Sequence, residues 1–124
     1  MKDAIKSRLA DMRAMFLGTA EARLSEAEEL LGASGAPDAQ TSRALHHILH
    51  QLRGNAGMLG CRELGTALHP LLMLSEDVDA EARGFSADES GIIRVGLIAA
   101  RDALERDVMA QPILPPQPTT ASDI

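Results

Sequence analysis

The chain has 124 residues, enough for one domain with one core, and 45 % of them are apolar against 24 % charged. With no Trp, no Tyr and only two Phe, the core must be aliphatic, which favours helices over a sheet rich in aromatic and β-branched residues. The net charge of −6, without a basic stripe, argues against nucleic acid as a partner.

The N-terminal stretch MKDAIKSRLADMR is charged throughout and has no apolar core of the signal-peptide kind. No run approaches the roughly 20 apolar residues of a membrane span, so no membrane contact is expected. The single cysteine, Cys61, cannot form an internal disulfide, which fits a reducing, cytoplasmic setting.

From about Lys2 to Leu31, apolar residues fall at Ile5, Leu9, Met12, Phe16, Ala20, Leu24, Ala27 and Leu31. Spacings of three and four mark one face of a helix. Gly18-Thr19 interrupts the middle, so either one long helix or two with a break is expected. Gly32 suits the position just after a helix, and Pro37 blocks continuation. Asp38 suits an N-cap for a second helix reaching about Leu59. A third is expected from about Arg62 to Ser75, bent or ended at Pro70. The acidic stretch SEDVDAEARGF then reads as a loop or frayed end.

Ser86-Ala87-Asp88-Glu89 has the form of a capping box. It opens a last helix from about Asp88 to Met109, with Ile92, Val95, Ile98/Ala99, Ala103 and Leu104/Val108 expected to face inward. The closing QPILPPQPTTASDI carries four prolines and reads as a disordered tail. The sum is an all-α chain: an antiparallel four-helix bundle over residues 1–110, with an extra or broken N-terminal helix, and a Pro-rich tail over 111–124.

The second helix contains HHILHQLRGNAGMLG, in which three histidines fall within five residues and three glycines follow. On a helical wheel with Leu45 as zero, Leu49, Leu52, Ala56 and Leu59 fall within about 40° of it, forming the buried stripe. His50 falls at about 140°, on the outward side, with His46 at about 100° and Arg53 at about 80°. Gly57 lies at about 120° and Gly54 at about 180°, opposite the stripe, so neither is needed for core packing. Residues at i and i+4 are neighbours, so Gly54 leaves one side of His50 bare and Gly57 extends the gap. Gly60 reads as a helix stop. An exposed imidazole titrates near pH 6.5 and is largely neutral at pH 7, when its ring nitrogen is a nucleophile. Arg53 adds a fixed positive charge one turn along. A nucleophile, a cation and a cleared surface together suggest phosphoryl transfer.

HQLRGNAGMLG, His50 to Gly60, resembles the signature of histidine-containing phosphotransfer (HPt) domains, roughly H-x-L-[KR]-G-x-[AS]-x-x-[LF]-G. His50, Leu52, Arg53, Gly54, Ala56, Leu59 and Gly60 fit it. The following RELG resembles the start of the family's next helix, and the expected bundle is the family's architecture. The resemblance covers about residues 10 to 108, its specific part being those eleven residues.

It implies that His50 accepts a phosphoryl group from the phospho-aspartate of a receiver domain and passes it to another receiver's aspartate. It implies a carrier, not an enzyme, with no ATP site and no cofactor; the Mg²⁺ such transfers need would sit in the receiver. By position Arg53 takes the role of the basic residue near the phosphoryl group, with Gln51 assigned beside it. Gly54 leaves room for the receiver's loops, and His46 and Gly57 join it in the docking patch. The implied partners are response-regulator receiver domains and a hybrid histidine kinase, and a monomer is expected. Three features depart from the pattern. Arg53 stands where Lys is commoner, Leu49 where a small residue is usual, and HPLLMLSED where the family's third helix is more regular.

Other readings fit these residues less well. A kinase dimerisation helix would carry an acidic residue after its histidine, where Gln51 stands, and no Gly-rich nucleotide site occurs. An HPt module at the head of a chemotaxis-type kinase is closer, since RGNAG resembles that branch, but no catalytic domain follows the Pro-rich tail, so a free-standing carrier is expected. His46 and His50 have the i, i+4 spacing of metal ligands, but Cys61 and His69 are not fixed near them, so no metal site is expected. His46 and His47 read as surface residues beside the site, His69 as a helix-end contact and Cys61 as a partly buried apolar residue. A helical interaction or inhibitor protein without phosphotransfer is the alternative, though it would not need the bare patch beside His50.

Overall fold

The computed structural model describes residues 2–32 and 36–110, so the expected Pro-rich tail at 111–124 lies outside the described residues. Four helices follow in order: α1 (Lys2–Leu31), α2 (Ala39–Met58), α3 (Arg62–Ala80) and α4 (Ala87–Ala110). Each packs on two others, α1 on α2, α2 on α3, α3 on α4 and α4 on α1, which closes an all-α bundle. Contacts at both ends show the antiparallel sense. Arg13 of α1 lies by Asp107 of α4, while Arg94 of α4 reaches the carbonyl of Gly32, where α1 ends. The core is aliphatic, with Leu24, Leu31, Leu45, Leu49, Leu64, Leu68, Ile93 and Leu97 fully buried.

The turns follow from local chemistry. Gly32 and Gly60 take φ of +65° and +73° after α1 and α2, the left-handed conformation that glycine adopts without strain. The N–H of Cys61 donates to the Ala56 carbonyl at 2.8 Å and closes the end of α2. Asp38 caps α2, its Oδ1 accepting from the Thr41 N–H at 2.7 Å, and these bonds hold its carboxyl below the usual range. Ser86 and Glu89 form the capping box of α4: the Glu89 N–H donates to Ser86 Oγ at 3.1 Å and the Ser86 N–H to Glu89 Oε1 at 2.9 Å.

Arg83 grips the same carboxylate with two bonds, at 2.7 and 2.9 Å. Arg83 and the Ser86 N–H pull the Glu89 pKa from 4.5 down to about 2. A depressed carboxylate stabilises the fold above its unfolded pKa, and that contribution disappears as pH falls toward the folded value. Glu89→Gln should therefore lower the denaturation midpoint at neutral pH. The gap to wild type should close between pH 4.5 and about 2, as paired urea titrations would show. A gap that is constant with pH would contradict the assignment.

Three expectations need correction. First, of the two readings of the N-terminal stretch the single long helix holds, and the extra or broken helix does not: α1 is continuous from Lys2 to Leu31. A side chain at Gly18 would meet nothing within 4 Å, so the glycine is a solvent-face position, and Leu17 and Ala20 anchor that turn in the core. The expected inward stripe begins only at Phe16: Ile5, Leu9 and Met12 are exposed. With 30 residues against 20, α1 is about 15 Å longer than α2, and its first turns overhang the bundle.

Second, α3 runs through Pro70 to Ala80, and part of the expected acidic loop is helix. Pro70 is exposed and so is Thr66, whose carbonyl loses its helical donor, so water can satisfy it. Leu71, Ser75 and Val78 are buried and carry the helix on. It ends in a Schellman motif with Ala82 at φ +53°: the Arg83 N–H donates to Val78 and the Ala82 N–H to Asp79. His69 is accordingly a mid-helix residue and not a helix-end one.

Third, α4 is rotated from the expected register. Ile92, Val95, Ile98 and Val108 are exposed, while Ser90, Ile93, Leu97, Ala100, Ala103, Leu104 and Asp107 are buried. GIIRVGLIAA offers apolar residues on both faces, so polar anchors decide. Arg101 binds Glu28 and Ser25 on α1, and Asp107 accepts the N–H groups of Leu64 and Glu63 at 2.8 and 3.3 Å, capping α3 across the interface. A cap residue is typically worth about 1 kcal/mol, and stranding a buried N–H adds more. Asp107→Ala should therefore destabilise the fold by about 2 kcal/mol, with Asp107→Asn intermediate, measured by urea unfolding.

Candidate functional site

His50 sits near the middle of α2, backed by Leu49 and Leu52 in the core, and its side chain is exposed. The core fixes the helix, so the imidazole stands on a rigid base. Around it the two flanks differ. Gly54, one turn on, is exposed, and a Cβ there would meet nothing within 4 Å. Gly57 is exposed too, but a Cβ there would come 3.0 Å from Nη1 of Arg53. That glycine seats the Arg53 guanidinium, which lies forward along α2, away from His50, and makes no hydrogen bond to it.

His46 stands on the α3 side, one turn before His50, with ring centroids 6.1 Å apart. It is half-buried, and its Nδ1 lies 2.8 Å from Ser75 Oγ on α3. The Ser75 hydroxyl donates to the Leu72 carbonyl at 2.9 Å, so it is free to accept from His46. That chain of bonds requires the proton on Nδ1 of His46 and leaves Nε2 unbonded. His47 is exposed, its ring centroid 5.9 Å from that of His46.

Gln51 faces the other flank and accepts from Arg23 of α1 at 3.4 Å. The fold therefore brings His46, Arg53 and Gly57 together on the α3 side of His50, and sets Gln51 apart from them. Arg62 and His69, absent from the expected site, join Arg53 and Gly57 along a groove between α2 and α3. Cys61 is wholly buried, and burial pushes its thiol pKa up, which makes it a core residue. Among the described residues no group of three or more His, Cys, Asp or Glu is placed to hold a metal. No described helix is long and apolar enough to cross a membrane.

A four-helix bundle that carries an exposed histidine at mid-helix, with open surface beside it, is the architecture of a phosphotransfer module. The model of the Hpt domain family matches residues 11–107, and the chain belongs to that family. Hpt domains take part in histidine phosphotransfer in two-component signalling, where they interact with receiver domains and histidine kinases. They act as phosphocarriers and not as catalysts. No curated protein and no solved structure matches the chain.

Proposed function

We propose that this chain is a phosphocarrier that relays a phosphoryl group between receiver-domain aspartates through His50. The lone pair of a His50 ring nitrogen attacks phosphorus, the P–O bond to the aspartate breaks, and the carboxylate leaves. Transfer onward reverses these steps on a second receiver. The observation that carries the reading is the exposed His50 on a core-backed helix with open space at Gly54.

Arg53 supports it as a charge for the transferred group, since its long side chain can swing from Gly57 toward His50. Phosphoryl chemistry of this kind asks for no cofactor on the carrier, and the Mg²⁺ is assigned to the receiver. A buried, unpaired cysteine suits the reducing cytoplasm in which the reading places the chain.

The test mixes the protein with a panel of phosphorylated receiver domains. Wild type should take an acid-labile, alkali-stable label from at least one of them. If none donates, the carrier reading fails and a passive binding role takes its place.

A further inference from the structure

Among the described residues, Arg23, Arg43, Arg83, Arg101 and Arg106 each pair with a carboxylate. Arg13 and Arg94 bond backbone carbonyls instead, and Arg8, Arg53 and Arg62 pair with no carboxylate; of these, Arg53 and Arg62 line one groove of about 450 Å³ between the second half of α2 and the first half of α3. His69 joins them, and no Asp or Glu lines the groove although the chain as a whole carries −6. Nε of Arg53 is shielded from solvent without a hydrogen-bond partner. Gly57, Gly60 and Gly65 line the groove without side chains of their own, the space beside Gly57 being taken by the Arg53 guanidinium. The first N–H groups of α3 are already taken by Asp107, so the positive character of the groove comes from side chains.

Position makes this matter. A standard protein interface covers about 800 Å² on each partner, which as a disc reaches about 16 Å from its centre. Seven residues of helix span only about 10 Å, so a partner centred on His50 also covers Gly57 and the groove beside it. A neutral or basic partner there would bury two guanidiniums with no counter-charge, which is unfavourable. One that presents carboxylates would supply the missing charge and gain in rate of encounter.

We propose that the α2–α3 groove selects partners with an acidic surface: it receives a carboxylate-bearing segment of the receiver that exchanges phosphoryl groups with His50. Arg62 and His69 are its selectivity residues. The inference rests on the phosphocarrier reading and names the chemistry of its partner.

The experiment uses the full chain and a phosphorylated receiver domain that labels it, at low and high salt. Arg62→Glu should fold normally, because Arg62 is exposed at the first position of α3, where an acidic residue suits the helix dipole. It should reduce kcat/KM for transfer by about tenfold, mostly through KM. It should also flatten the salt dependence shown by wild type. His69→Glu should act in the same direction.

Transfer by Arg62→Glu within twofold of wild type, with an unchanged salt dependence, overturns the groove reading while leaving the carrier reading intact. Inhibition by inorganic phosphate beyond that of chloride at equal ionic strength also overturns it, by making the groove a small-anion site. Failure of wild type to take label from any receiver overturns the carrier reading, and this inference with it.

Discussion

His50→Gln is expected to remove phosphoryl acceptance completely and leave the bundle folded. The amide has no nucleophilic nitrogen, so no bond to phosphorus can form. The side chain is exposed and makes no hydrogen bond within the protein, so stability should change by no more than about 0.5 kcal/mol. Labelling from a phosphorylated receiver and urea unfolding together check both halves. Glutamine at His46 or His47 should still permit labelling, because neither ring occupies the cleared face beside Gly54. Full labelling of the His50 variant would locate the phosphoacceptor elsewhere, with the exposed His47 and His69 the next imidazoles to replace.

Gly54→Glu should separate folding from transfer more sharply still. A glycine inside a helix is less stable than an ordinary helix former by roughly 0.5–1 kcal/mol. Position 54 is open, so a side chain there meets no obstacle. The variant should therefore be slightly more stable than wild type. Yet it places bulk and negative charge one turn from His50, where the phosphoryl group and its donor must approach. Transfer should fall to background while the unfolding midpoint rises. Gly54→Ala should share the gain in stability and retain much of the transfer. A Gly54→Glu variant that transfers at the wild-type rate would show that the receiver does not cross this flank.

The second helix was the most legible part of the chain. Its apolar stripe has a single consistent phase, it begins at a good N-cap in Asp38, and it stops at Gly60. The wheel therefore placed His50 outward, as the structure has it. The stretches that misled lacked such signals. α3 ends on Ala82 in a left-handed conformation, where no glycine announces the stop, and its proline sits on a face where a missing N–H is harmless. In α4 the apolar residues cover both faces, and the phase is set by Arg101 and Asp107 reaching to other helices, contacts between distant parts of the chain. The start of α1 carries the helical period but extends beyond the bundle, so periodicity there does not report burial.

At the site, the exposure of His50 and the open flank at Gly54 followed from one helix alone. The bond from His46 to Ser75 and the groove with Arg62 and His69 did not, because both depend on the register between α2 and α3. Gly57 shows how one position can serve a use that a wheel does not reveal. It is clear of the core, as expected, but the cleared space holds the chain's own guanidinium.

In the proposed carrier, a docking surface centred on a single imidazole has a kinetic consequence. Two receivers could not be seated on it together, because each would have to cover the same His50. On that reading donor and recipient alternate, so the relay would follow ping-pong kinetics, with every copy of the carrier either loaded or waiting. An abundant receiver that binds without exchanging would act as a sink, lowering flow to all the others by occupancy alone. The ratio of carrier to receivers in the cell, and not only their affinities, would then decide which pathway hears the signal.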